Sequence, residues 1–327
     1  MTDVTQDTSV DLLVIGAGPT GLFSAYYAGF RGLSVGVVDS LPELGGQITA
    51  MYPEKAIFDV AGFPSVKGRD LVAGLVEQAA SADPAYFLDR TATTLEHGDD
   101  RVAVILDDGT RITAGAVLVT AGIGKFSPRP LPAGEGWLGR GLEFFVPSFA
   151  PYAGKDVVIV GGGDSAFDWA QHLEPVARTV TLVHRRDAFR AHERTVEAVR
   201  ASSVEIVTRA QVTALRGNGT VEEVEITVDG QQPLVRPAQA VVAALGFIAD
   251  LGALQTWGLE TDHRHVVVDS AMRTNLPRVF AAGDITQYPG KVRLIAVGFG
   301  EAATAVNNAA VAIDPTAHVF PGHSSEA

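Results

Sequence analysis

The sequence predicts an α/β fold built from two βαβ-based domains, on three observations. A short apolar run, Leu12 to Ile15, leads into Gly16-Ala-Gly-Pro-Thr-Gly21, then a helix-like stretch from Leu22 to about Arg31. A second apolar run, Ser34 to Val38, follows and ends at Asp39. The same series recurs downstream: Val157 to Val160, Gly161-Gly-Gly-Asp-Ser-Ala166, a helix from Phe167 to about Glu174, and a strand from Val180 to Val183 that ends at His184. The two units share one offset, since Gly161 stands 145 residues after Gly16 and His184 stands 145 residues after Asp39. A repeat at this scale indicates two Rossmann-like dinucleotide-binding domains.

The remaining elements fit around these units. Turn-rich sequence from Leu41 to Ser65 precedes a helix from about Gly68 to Ala80. Arg101 to Leu106 and Arg111 to Val119 read as antiparallel strands joined at Asp107-Asp-Gly-Thr110. Residues 123–154 are rich in Pro and Gly and suit a crossing between domains. Thr220 to Val228 and Ala240 to Leu245 read as strands of the second unit. Val266 to Val268, Val279 to Ala281 and a helix from about Val297 to Ile313 lie beyond it.

Each glycine of the first motif has its own physical task. Gly16 permits the tight turn, Gly18 lets the backbone approach a pyrophosphate, and Gly21 lets the helix pack close to the strand. The helix N-terminus then offers free N–H groups to phosphate oxygens. Asp39, at the end of the second strand, is placed to accept hydrogen bonds from the hydroxyls of an adenosine ribose.

The second motif differs at the ribose position. Gly161, Gly163, Asp164 and Ser165 open the helix, and Ala166 takes the third glycine's place. His184, Arg185, Arg186 and, one turn further, Arg190 stand where the first unit has an acid. A carboxylate there would repel a 2′-phosphate, whereas guanidinium groups bind it, with Arg suited to bidentate contact. The pattern points to NADP(H). A chain that holds NADP and a second dinucleotide suggests FAD at the first site. Thr274 to Asp284 supports this, because an apolar strand before Gly283-Asp284 can aim the Asp284 carboxylate at a flavin ribityl chain. The helix that follows can direct its N-terminus at the flavin pyrimidine ring. FAD is thus expected on residues 1–123 and 248–327, a discontinuous domain, and NADP(H) on residues 124–247.

Composition excludes several classes. The net charge of −13 disfavours a nucleic-acid binder. The absence of cysteine excludes disulfides, a dithiol centre, Cys-bound Fe–S clusters and Cys-based zinc sites. No metal site is expected. No apolar run approaches the roughly 18 residues of a membrane span, and the N-terminus has no cationic segment of a signal peptide. A cytoplasmic protein is expected.

Longer stretches carry a family resemblance over nearly the whole chain. Asp39-Ser-Leu-Pro-Glu-Leu-Gly-Gly-Gln47, Tyr52-Pro-Glu-Lys55, Asp59-Val-Ala-Gly-Phe-Pro64, Gly161 to Ala166, His184-Arg-Arg-Asp-Ala-Phe-Arg-Ala191 and Phe299-Gly-Glu-Ala302 are the matching segments. The sequence resembles the bacterial, thioredoxin-reductase-like ferredoxin–NADP(+) reductases. The resemblance implies that Asp39, Gln47, Tyr52, Ala92, Phe126, Asp284 and Ser325 contact FAD. It implies that Tyr52 stacks on one flavin face and that His323, supplied by the second subunit of a homodimer, covers the other.

The implied activity is electron transfer between NADPH, which gives a two-electron hydride, and ferredoxin, which takes single electrons. An NADPH-dependent reductase of flavodoxin or another small acceptor is the alternative. Thioredoxin reductases carry a Cys-x-x-Cys pair before the second glycine motif, where this chain has Phe144-Phe-Val-Pro-Ser148. Disulfide reduction is therefore chemically closed to it. No acid–base residue is required. Ferredoxins are usually acidic, so docking needs a local basic patch. Lys55, Lys67, Arg69, Lys125, Arg129 and Lys291 are its candidates.

Overall fold

The computed structural model describes residues 8–122, 124–320 and 322. The chain forms two compact units, one of residues 1–126 and 249–327, the other of residues 127–248.

The first unit opens with β1 (Thr8–Ile15), α1 (Pro19–Phe30) and β2 (Val35–Asp39). The Pro at the first position of α1 costs the helix no hydrogen bond, because that N–H has no intrahelical partner. The helix therefore begins three residues earlier than expected. A short helix α2 (Gln47–Met51) and a two-residue hairpin, β3 (Ala56–Ile57) with β4 (Val66–Lys67), occupy the turn-rich stretch. Then come α3 (Gly68–Ala80), β5 (Ala85–Leu88), β6 (Ala92–His97), β7 (Val102–Leu106) and β8 (Arg111–Val119). Strands β7 and β8 pair antiparallel as expected. Strand β5 was not expected; it pairs parallel to β2.

The chain crosses at β9 (Lys125–Pro128) and reaches β10 (Leu142–Glu143) in the second unit. β11 (Asp156–Gly161), α4 (Asp164–Leu173), β12 (Thr179–Val183), α5 (Glu193–Arg200) and β13 (Glu205–Val207) follow. An antiparallel sheet of β14 (Ala210–Arg216), β15 (Glu223–Val228) and β16 (Leu234–Pro237) comes next, then β17 (Ala240–Ala244). The parallel sheet of this unit runs β10-β17-β11-β12-β13. Its central strand β11 is buried along its whole length, as a strand covered on both faces must be.

Returning through β18 (Phe247–Asp250), the chain completes the first unit with β19 (Thr261–Asp262), β20 (His265–Val267), β21 (Val279–Ala281), β22 (Thr286–Gln287) and α6 (Ile295–Ile313). The main sheet runs β5-β2-β1-β8-β7-β6. β8 serves two neighbours on one edge: Ile105 to Val102 of β7 against its first half, and Val279 to Ala281 of β21 against Val117 to Val119. That register places the turn after β21 beside the end of β8, next to the turn after β1. Leu12, Leu13, Val14, Val117, Leu118 and Val119 form the fully buried centre. Ala302, Ala305, Val306 and Ala309 give α6 a buried stripe at helical spacing.

One buried carboxylate anchors the second unit. Asp156, at the start of β11, accepts from Arg178 and from Thr179 Oγ1 at 2.7 Å. Chiefly the Arg178 hydrogen bond holds its pKa below the ordinary 3.8. Its contribution is therefore fully present at neutral pH and is lost as pH falls below 3.8. Asp156→Ala is expected to lower stability by about 1–3 kcal/mol at pH 7. Urea unfolding at pH 7 and at acid pH checks this, and the difference should shrink in acid.

Candidate functional site

Both glycine loops sit at the C-terminal edge of a parallel sheet, where open α/β sheets bind ligands. In the first loop, Gly16 has φ +111°, and a Cβ there would stand 2.6 Å from the Thr120 carbonyl oxygen. A Cβ on Gly21 would fall 1.8 Å from the Gly16 carbonyl oxygen. A Cβ on Gly18 would meet nothing within 4 Å. The outer glycines are closed by the protein itself, and the middle one faces open space. The second loop repeats this arrangement. A Cβ on Gly161 would stand 2.4 Å from the Ala244 carbonyl oxygen, whereas Gly163 is open. Such open middle positions at helix N-termini fit the approach of a pyrophosphate.

Asp39 ends β2 buried, with each carboxylate oxygen held by a backbone N–H. Ala17 donates to Oδ2 at 2.6 Å and Leu41 to Oδ1 at 2.8 Å. Burial raises its pKa, and these two hydrogen bonds oppose the rise. Each oxygen keeps a lone pair for a ribose hydroxyl. Arg90 N–H donates to the Asp39 carbonyl at 3.1 Å, which ties the segment leading to buried Ala92 to the same edge.

Other expected flavin residues converge on this unit. Gln47 Nε2 lies 3.0 Å from where a Gly122 Cβ would be, at the end of β8. Tyr52 is half-buried, with the Lys55 ammonium 5.9 Å from its ring centre. Burial first, then the nearby Asp284 and Asp59 carboxylates, push its phenol up to about 12. The Asp284 carboxylate is thus near enough to act on the Tyr52 phenol. Asp284 follows Gly283 in the turn after β21, and burial raises its pKa against the pull of Lys291 and Arg293. The Phe126 side chain, His323 and Ser325 lie outside the described residues.

In the second unit the segment after β12 folds back on the glycine loop. Arg190 N–H donates to the Gly162 carbonyl at 2.8 Å, and His192 N–H donates to Asp164 Oδ1 at 2.8 Å. Asp164 and Ser165 form the exposed first turn of α4. Arg185, Arg186 and Arg190 are exposed. The acid among them, Asp187, is taken by Arg209 at 2.5 Å. None of the three guanidinium groups has an ion pair among the described residues. His184 plays a different part from its neighbours. Its ring packs against Gly162, where a Cβ would stand 2.3 Å from it. Burial first, then the surrounding arginines, lower its pKa below 6.5, so the ring is neutral at pH 7 and the positive charge is the arginines' alone.

One basic candidate is corrected. Lys291 is no surface cation: its side chain is 1% exposed and bonds Glu301 at 2.5 Å. Lys67 and Arg69 both pair with Glu54. Glu301, Tyr288 and Thr20 went unassigned at the level of sequence. The available signal was Glu301 itself, a single acid within the otherwise uncharged helix Ile295–Ile313.

Asp284→Ala is expected to yield protein with little bound flavin. The ratio of visible to ultraviolet absorbance checks this, and a fully yellow variant contradicts it.

Residues 10–310 match the family described as Pyridine nucleotide-disulphide oxidoreductase. A protein of Nocardioides sp. named Ferredoxin–NADP reductase is 82% identical over 97% of this chain and 97% of its own. A namesake from Salinispora arenicola is 65% identical over 97% and 98%. Among solved structures, the thioredoxin reductase of T. acidophilum superposes with a TM-score of 0.78 at 24% identity, covering 94% of this chain and 98% of that one. The thioredoxin reductase of Lactococcus lactis gives 0.78 at 22% identity, covering 93% and 99%. Those two likenesses establish the fold. Twin glycine loops, an acid at one strand end, arginines at the other and these near full-length matches lead to one assignment: the chain is an oxidoreductase of the pyridine nucleotide-disulphide oxidoreductase family, in its ferredoxin–NADP reductase branch.

Proposed function

We propose that the chain catalyses NADPH + 2 oxidised ferredoxin → NADP⁺ + 2 reduced ferredoxin + H⁺, or the reverse, with FAD on the first unit and NADP(H) on the second. The opposite charge of the two strand ends, Asp39 against Arg185 and Arg186, carries this reading. FAD, when bound, supplies both the two-electron and the one-electron chemistry. The chain supplies binding and orientation. Gly16, Gly18 and Gly21 with the α1 N-terminus take the FAD pyrophosphate, and Asp39 takes the adenosine ribose. Gln47, Tyr52, Ala92, Phe126 and Asp284 line the rest, and the α6 N-terminus favours negative charge on the ring. Gly161, Gly163, Asp164 and Ser165 take the NADP pyrophosphate, Arg185, Arg186 and Arg190 take the 2′-phosphate, and neutral His184 braces the loop.

With no cysteine in the chain, electrons pass to an external carrier without a dithiol relay. The names of the relatives support ferredoxin as that carrier. No helix among the described residues is long and apolar enough to cross a membrane. We place the enzyme in the cytoplasm as a homodimer, with His323 and Ser325 completing the flavin site. Side-by-side kinetics with ferredoxin and flavodoxin test the acceptor. Faster turnover of ferredoxin supports the reading; a preference for flavodoxin overturns it.

A further inference from the structure

Two deeply buried charges of the first unit belong to Lys291 and Glu301, with side chains 1% and 5% exposed. Such a pair is a poor source of stability, because well-packed apolar side chains of similar volume usually do as well or better. The hydrogen bonds show where the pair acts. Glu301 Oε2 accepts the Gly283 N–H at 2.7 Å. Lys291 Nζ donates to the Gly283 carbonyl at 2.9 Å and to Glu301 Oε1 at 2.5 Å. Tyr288 donates to Glu301 Oε1 at 2.5 Å, and Thr286 Oγ1 donates to the Gly283 carbonyl at 2.8 Å. Both peptide groups of one glycine are thus gripped by a single ion pair.

That glycine admits no alternative. Gly283 has φ +84°, and a Cβ on it would meet Thr20 Oγ1 at 2.8 Å. A Cβ on Gly298, in the first turn of α6, would meet the same oxygen at 2.5 Å. Thr20 lies in the first turn of α1. The clamp therefore sits where both helix N-termini and the turn bearing Asp284 come together.

We propose that Lys291 and Glu301 are positioning residues for the flavin: by gripping both peptide groups of Gly283 they fix the Asp284 carboxylate and the α6 N-terminus on the cofactor. The proposal rests on the reading that Asp284 binds the flavin.

Three variants of the full-length holoenzyme test it: K291M/E301L, E301Q and D284A. The readouts are the FAD dissociation constant, from flavin fluorescence released on dilution, and the thermal midpoint in saturating FAD. Removing the clamp with an apolar pair should raise the dissociation constant about tenfold to a hundredfold. The midpoint in saturating FAD should fall by no more than the weaker FAD affinity accounts for, a limit that a merely structural role would exceed. E301Q keeps an acceptor for the Gly283 N–H but strips Lys291 of its counter-charge, and should give a smaller rise of about threefold to tenfold. If the double variant does not fold, E301Q decides alone. FAD affinity within about twofold of the parent in these variants, with D284A depleted of flavin, overturns the clamp and leaves the Asp284 reading standing. A D284A protein that keeps its flavin overturns both.

Discussion

The R185A/R186A variant should lose about a hundredfold in kcat/KM for NADPH while its kcat/KM for NADH holds within about twofold. The geometry behind this is one-sided charge. Arg185, Arg186 and Arg190 are exposed without an ion pair among the described residues, because Arg209 neutralises Asp187. A charge-assisted hydrogen bond to phosphate is worth about 1.5–3 kcal/mol, so two lost guanidinium groups reach the stated effect even with partial compensation by Arg190. The 2′-phosphate is remote from the nicotinamide ring. Its contacts are made equally in ground and transition states, so the loss should appear in KM and not in kcat. The difference should narrow at high salt, as exposed charges do. The H184A variant should behave differently, since a neutral ring contributes packing under Gly162 and no charge. Steady-state kinetics with both coenzymes decide the matter, and an R185A/R186A enzyme that still prefers NADPH contradicts it.

Gly18→Ala and Gly21→Ala should separate the two duties of a glycine loop. Gly21 is closed by the fold: its Cβ would overlap the Gly16 carbonyl oxygen at 1.8 Å and stand 2.8 Å from Thr120 Oγ1. Backbone cannot swing aside as a flexible side chain can, so α1 must lift from β1. The expected cost is about 1–3 kcal/mol or more, together with loss of flavin. Gly18 has φ −71° and open space around its Cβ position, so alanine fits the protein without strain. Stability in the absence of flavin should then change by no more than about 0.5 kcal/mol. The added methyl nevertheless occupies the open space proposed for the FAD pyrophosphate, and FAD affinity should fall about tenfold or more. Urea unfolding of the flavin-stripped chain and fluorescence titration with FAD measure the two effects separately. Equal flavin affinity in Gly18→Ala and the parent would place the pyrophosphate elsewhere.

The parts of this molecule legible from sequence are those set by local pattern. Runs such as Leu12 to Ile15 and Val157 to Val160 are buried on both faces and adjoin glycine turns, so strand, loop and helix follow one another without long-range information. The hairpin of β7 and β8 was legible for the same reason, through Asp107-Asp-Gly-Thr110. Helix starts were less so: α1 begins at Pro19 and α4 at Asp164, because residues that break a helix interior are tolerated or favoured in its first turn. Strand β14 is not legible in the sequence, since its pattern, Ala210 to Arg216, gains meaning only from pairing with β15. The burial of Lys291 is hidden from the sequence for a deeper reason. A lysine in a Pro-Gly-Lys turn looks solvent-exposed, and only the folded chain brings Glu301 to it. The acid at Asp39 and the arginines after His184 were legible because each sits at a fixed count from its glycine motif.

The most direct measurement is anaerobic reduction of the purified protein by NADPH and by NADH at equal low concentration, followed by addition of oxidised ferredoxin. The account predicts a yellow protein whose flavin absorbance is bleached at least about tenfold faster by NADPH, and returns when ferredoxin is added. A colourless preparation that cannot be reconstituted with FAD, or bleaching by NADH as fast as by NADPH, would contradict it.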